Sequence, residues 1–216
     1  MAELLAQLNS EMASLVAQVQ RSLVQIRNGR HGMGAGIIWR PDGLIVTNAH
    51  VVGQPAPRVR LADGQTYAAR ILAHDARRDL AALQVDAGGL PAVELGDSRA
   101  LQAGAWVMAL GHPWGIGGAA TAGVVIGAGP DWPRTPWAGQ EWILVRLHLR
   151  PGYSGGPLID ARGQLVGINT MVVGPELGAA VPVHVVEAFL QRGAPQCLCG
   201  GESHCVTPKT ADPSQA

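Results

Sequence analysis

The order in which three residue types occur along this chain narrows its fold more than any other feature. A serine set among glycines, Gly152-Tyr153-Ser154-Gly155-Gly156, lies on an apparent loop just ahead of a strand beginning Pro157-Leu158-Ile159. A serine hydroxyl attacks a carbonyl only when a base takes its proton and donors await the oxyanion. The flanking glycines let the backbone turn sharply and aim its N–H groups inward. The Gly152 and Ser154 amides are therefore candidate oxyanion donors, with the Tyr153 amide beside them. The Gly-x-Ser-x-Gly spacing also fits the nucleophile elbow of α/β-hydrolases, whose acid and histidine must follow the serine. Only about 60 residues follow Ser154, and His184 and His204 occur there without alternating strands and helices. An esterase of that type fails on chain order.

Upstream, Ile45-Val46-Thr47-Asn48-Ala49-His50-Val51-Val52 places a histidine just past an apolar strand. His74-Asp75-Ala76-Arg77-Arg78-Asp79-Leu80-Ala81-Ala82-Leu83 then carries an acid into another strand. The order His50, Asp79, Ser154 is that of the chymotrypsin-type double barrel.

The rest of the chain suits that architecture. Its 29 glycines and 15 prolines punctuate short runs rich in Val, Ile and Leu. Strands are expected near 23–27, 34–39, 44–47, 58–61, 66–73 and 80–85, with hairpin turns at Pro41-Asp42-Gly43 and Ala62-Asp63-Gly64. A second set is expected near 93–95, 106–110, 119–126, 141–148, 157–160, 165–173 and 178–182, with a turn at Asp160-Ala161-Arg162-Gly163. The fold class is all-β: two six-stranded Greek-key barrels, about 23–97 and 98–182, with helices at either end. Leu4, Leu5, Leu8, Met12, Leu15, Val16 and Val19 recur at helical spacing and predict an amphipathic N-terminal helix within residues 1–22. A short helix is expected over 183–191, ending a two-barrel unit of 23–192. The stretch from 193 to 216 reads as a polar tail, and the Pro- and Trp-rich run 127–140 as an irregular cover over the second barrel.

Charge excludes some functions. Sixteen basic and sixteen acidic residues balance, so nothing points to nucleic acid or an anionic membrane. No run approaches the roughly 18 apolar residues of a membrane span. Residues 1–21 lack the basic start and apolar core of a secretory signal, and the three cysteines all fall within Cys197–Cys205. A cytoplasmic location is the expectation. Cys197, Cys199, His204 and Cys205 are weak zinc-ligand candidates, because Cys-x-Cys followed by adjacent His-Cys leaves little slack for a tetrahedron. No cofactor or metal is expected.

A family resemblance rests on several stretches in the right order. Gly32-Met33-Gly34-Ala35-Gly36 and Asp42-Gly43-Leu44-Ile45-Val46-Thr47-Asn48-Ala49-His50 resemble the opening of HtrA (Deg-like) serine protease domains. Leu95-Gly96-Asp97-Ser98, Ala109-Leu110-Gly111-His112-Pro113, Thr121-Ala122-Gly123 and Gly167-Ile168-Asn169-Thr170 are similar to further family stretches. The resemblance covers about residues 10–191. It implies a trypsin-like serine endopeptidase acting on unfolded or exposed polypeptide, with Ser154 as nucleophile, His50 as base and Asp79 orienting it. Gly152, Tyr153 and Ser154 would line the oxyanion hole. His148, Asn169, Thr170 and Met171 are candidates for substrate contact, Asn169 also for a hydrogen bond near Asp79.

Departures from the family pattern shape the expectations. Tyr153 stands where Asn is usual, so the oxyanion loop is expected to sit differently. Val145-Arg146-Leu147-His148-Leu149-Arg150 replaces a small, polar stretch near the specificity pocket, which puts the usual preference for small aliphatic residues in question. The roughly 25 residues after the last helix are too few for the family's PDZ domain. Trimerisation through the N-terminal region remains open to the chain. A catalytically silent polypeptide-binding module of the same fold is the alternative reading.

Overall fold

A computed structural model describes residues 2–28, 32–53, 57–130, 139–174 and 176–193. Helix α1 spans Ala2–Gln20. The first barrel comprises β1 (Leu23–Asn28), β2 (Gly32–Ile38), β3 (Leu44–Thr47), β4 (Arg58–Arg60), β5 (Thr66–Asp75) and β6 (Leu80–Val85). Its strands are hydrogen-bonded in the order β1-β2-β3-β6-β5-β4, and antiparallel pairing of β4 with β1 closes it. The second barrel comprises β7 (Trp106–Gly111), β8 (Ala119–Gly129), β9 (Trp142–Arg146), β10 (Pro157–Asp160), β11 (Leu165–Gly174) and β12 (Leu177–Pro182). The order there is β10-β11-β12-β9-β8-β7, closed by β10 on β7. Helix α2, Val183–Gly193, follows directly.

The anticipated turns form where glycine permits them. Gly43, Gly64 and Gly163 all adopt positive φ, and a Cβ on Gly43 would lie 2.4 Å from the Val85 carbonyl oxygen. One expected strand does not form. Residues 93–95 contribute only a single bridge, Leu95 to Leu165. The Val93 amide donates to Ile38 of the first barrel, whereas Glu94 and Gly96 bond to Leu165 of the second. The segment is a linker stretched between two sheets and extends neither ladder.

A shared core joins the barrels. Ile37, Leu44, Val46 and Leu80 of the first pack with Leu165, Ile168 and Val181 of the second, and with Val186, Phe189 and Leu190 of α2. At ~25 cal/mol per Å² of apolar surface, burying one such side chain contributes roughly 1.5–3 kcal/mol. Helix α1 docks only by its second half: Val19 is buried and Met12, Leu15 and Val16 are partly buried against Met108, Leu110 and Ile159. Among the described residues, no helix is long and apolar enough to cross a membrane.

Candidate active site

His50 lies in a single 3-10 turn, Ala49–Val51, just after β3. Asp79 lies at the end of the turn between β5 and β6, with a positive φ of 54°. Aspartate tolerates this left-handed region better than most residues, and the surroundings fix it there. The Asn48 side-chain amide donates to the Asp79 carbonyl at 2.9 Å. The His50 backbone N–H donates to Oδ1 at 3.0 Å, and His50 Nδ1 sits 2.9 and 2.8 Å from the two carboxylate oxygens. Thr170 Oγ1 donates to Oδ2 from β11, across the cleft between barrels. Burial pushes the Asp79 carboxyl up, but the hydrogen bonds from the His50 ring, Thr170 and the His50 amide outweigh it and hold the group below the ordinary carboxylate range. Asp75, four residues earlier, is engaged elsewhere: Arg78 Nη1 pairs with it at 2.7 Å.

Ser154 enters from the second barrel. Arg150-Pro151-Gly152-Tyr153 forms a turn closed by the Tyr153 N–H on the Arg150 carbonyl at 3.1 Å. Proline at its second position and a glycine of φ 106° at its third are what a type II turn requires. The turn is wedged against Gly111-His112-Pro113: the His112 N–H donates to the Gly152 carbonyl at 2.8 Å, and a Cβ on Gly152 would lie 2.5 Å from the His112 carbonyl oxygen. The Ser154 carbonyl accepts from the Ala35 N–H of β2 at 2.8 Å, and Gly155 N–H donates to Asn169 O at 2.8 Å. Gly155 packs so tightly on Ala35 and Thr47 that a Cβ would lie 2.2 Å from each oxygen. The serine is thus pinned to both barrels.

The backbone donors divide clearly. Among the described residues, the Gly152 and Ser154 amides have no internal acceptor, whereas the Tyr153 amide is spent on its turn. Two donors, not three, are therefore free. The Tyr153 side chain, expected to disturb this loop, is instead buried in the second barrel's core with Leu147 and Leu149. The Ser154 hydroxyl donates to the Thr170 carbonyl at 3.1 Å, and no hydrogen bond joins it to His50.

The other candidates are placed differently from expectation. Asn169 is fully buried, and its amide donates to the Pro157 carbonyl at 2.8 Å, so it braces the Ser154 loop and touches neither Asp79 nor solvent. The donor to Asp79 is Thr170, its neighbour. Met171 packs partly against the shared core, leaving Val172 as the exposed side chain of this stretch. His148 faces outward with Arg146 and Arg150, its Nε2 3.6 Å from Glu176. The two-residue alternation of extended chain sends Leu147 and Leu149 inward instead. Asn48, Thr47 and His112, which orient these loops, were visible only as members of motifs. Cys197, Cys199, His204 and Cys205 lie outside the described residues; among the described ones, no cluster of three or more His, Cys, Asp or Glu could hold a metal.

Paired six-stranded barrels that present a carboxylate-bound histidine opposite a glycine-flanked serine define the trypsin-like class of serine peptidases. The chain belongs to the family described as trypsin-like peptidase domain, which matches residues 34–168. Its resemblance to HtrA proteases is borne out by individual relatives. It is 38% identical over 173 residues to the mitochondrial serine protease HTRA2 of Drosophila pseudoobscura pseudoobscura, covering 74% of this chain and 39% of that protein. It is 40% identical over 144 residues to a probable periplasmic serine endoprotease, DegP-like, of Marinomonas, covering 66% and 30% respectively. Among solved structures, the HtrA-type protease AlgW with tripeptide superposes with a TM-score of 0.76 at 29% identity, over 83% of this chain and 62% of that one. The chain thus spans less than half the length of these curated relatives.

Proposed function

We propose that this protein is a serine endopeptidase that hydrolyses peptide bonds in unfolded or exposed polypeptide segments, in the service of protein quality control. The observation that carries the reading is the pair of unsatisfied amides, Gly152 and Ser154, beside a histidine already fixed by Asp79. Asp79 on Nδ1 leaves Nε2 of His50 as the base. Ser154 Oγ turns from the Thr170 carbonyl towards it, gives up its proton and bonds to the scissile carbon. The carbonyl oxygen takes the charge and is held by the two amides, each donor being worth about 2.7–4 kcal/mol in comparable sites. The C–N bond then breaks, the amine takes the proton from His50, and water repeats the sequence on the acyl-enzyme.

The free edge of β11 supports a polypeptide substrate. Its pairing with β10 ends at Ile168, so residues from 170 onward have a ladder partner only on the β12 side, next to Ser154. An extended segment can add there as a strand. The exposed half of α1, with Leu4, Leu5 and Leu8 uncovered, supports self-association as the second kind of contact.

A fluorophosphonate probe tests the reading without a guessed substrate. Covalent labelling of the wild type and none of Ser154→Ala is the expected result. A folded wild type that binds extended polypeptide yet takes no label would instead mark a silent binding module.

A further inference from the structure

Behind the turn that carries Asp79, four arginines converge on one groove. Arg77 and Arg78 come from the β5–β6 turn, Arg99 from the 3-10 turn Ser98–Ala100, and Arg192 from the last turn of α2. The cavity they line has a volume of about 290 Å³. Arg77, Arg99 and Arg192 are exposed to solvent there, and the carboxylates near them among the described residues are engaged elsewhere. Asp75 is committed to Arg78 at 2.7 Å and to the amides of the Arg77–Arg78 turn. The Asp97 carboxylate caps its own 3-10 turn by accepting from the Arg99 N–H. Glu141, the one carboxylate in the lining among the described residues, is 2.8 Å from His184 Nε2, whose Nδ1 meets Ser98 Oγ at 2.7 Å. Among the described residues, the guanidinium groups of Arg77 and Arg99 have no hydrogen-bond or ion-pair partner. Arg192 spends only its Nε, on the Ala188 carbonyl.

We propose that this groove binds a small phosphate-bearing polyanion. Guanidinium forks match phosphate oxygens two at a time, and groups reaching in from three separate elements suit a ligand with several charged oxygens better than one carboxylate. The volume admits a pyrophosphate-sized body. Such a ligand links the first barrel's Asp79 turn to α2, which packs on β5, β6, β11 and β12. Binding therefore stabilises the joined barrels. The site is independent of the proposed peptidase chemistry and stands or falls separately from it.

The experiment is a thermal titration of the intact protein with pyrophosphate, against sodium chloride at matched ionic strength. A saturable rise in Tm is expected, about 5–10 °C at a hundredfold excess over Kd. It should be lost in the triple variant R77Q/R99Q/R192Q and weakened in R99Q alone. Circular dichroism and fluorophosphonate labelling report whether each variant keeps its fold and its serine site, and R99Q serves if the triple variant does not fold. A rise equal to that in chloride, or one unchanged in R99Q and in the folded triple variant, overturns the proposal. Stabilisation by hexaglutamate but not pyrophosphate overturns the ligand class.

Discussion

Asp79 shows how many neighbours one residue can require. Its carboxylate accepts from the His50 amide, the His50 ring and Thr170, and its carbonyl accepts from Asn48, all while φ is held at 54°. Thr170 is the donor that comes from the other barrel, so it couples the carboxylate's position to the assembly of the cleft. A hydrogen bond to a charged group is worth about 1.5–3 kcal/mol. Thr170→Val should therefore lower kcat by about tenfold to a hundredfold with KM little changed, and Thr170→Ser should restore most of it. Loss of the donor also raises the Asp79 pKa, so the low-pH end of the Tm profile should move to higher pH. Unchanged kcat in Thr170→Val would show that the contact is merely structural. The sequence made His50, Asp79 and Ser154 legible because their order and flanking strands are specific. It misplaced Asn169 and Thr170 for a physical reason. β11 is buried continuously from Leu165 to Thr170 and shifts register between Asn169 and Met171, so alternation along the strand does not tell which of Asn169 and Thr170 meets Asp79. Spacing along a single chain carries no trace of that bulge.

At the scale of elements, the barrels were readable from their turns, because glycine is needed wherever the chain adopts positive φ. The linker at 93–95 was not, since Val93-Glu94-Leu95 alternates as a strand does and only its divided hydrogen bonds reveal otherwise. Helix α1 was legible as amphipathic, but its pattern could not say how much of the apolar stripe the barrel covers. Leu4, Leu5 and Leu8 remain 52–68% exposed, and Trp106 nearby is 46% exposed. Leu8, Met12, Leu15, Trp106 and Met108 border an apolar cavity of about 380 Å³. We propose that this exposed stripe serves self-association. Sedimentation of the wild type should show an oligomer, a trimer on the HtrA resemblance, and Leu4→Ser/Leu8→Ser should dissociate it without unfolding the barrels. A monomeric wild type, or an oligomer indifferent to both serines, would remove α1 from the assembly.

For the whole molecule, stability and the proposed chemistry meet at the contact between the Gly111–Pro113 segment and the Ser154 loop, and pH exposes the connection. His112 is buried there; its Nδ1 accepts from the Gly118 N–H at 3.3 Å, which leaves the proton of the neutral ring on Nε2, where it has no hydrogen-bond partner among the described residues. Burial lowers its pKa, the nearby Val24 carbonyl pulls the other way without good hydrogen-bond geometry, and the charge of Arg60 lowers it further. The folded state therefore favours neutral His112, while the unfolded chain takes up its proton near pH 6.5. The resulting stability is complete above about pH 6.5 and is lost as pH falls from there through the lower folded value. Asp79 is also depressed, so its contribution is present above about pH 3.9 and disappears only in stronger acid. Two separate acid losses follow. The Tm of the wild type should begin to fall below about pH 6.5, well before carboxylates titrate. His112→Gln should lower Tm at neutral pH yet flatten that first decline, since glutamine can still accept from Gly118 and carries no proton. An identical slope between pH 6.5 and 5 in both proteins would sink the assignment. The same titration bears on the Ser154 loop, because the His112 backbone holds the Gly152 carbonyl. Charging this ring strains the segment on which the two free amides rest, so fluorophosphonate labelling should decline over the same interval in the wild type and less steeply in His112→Gln.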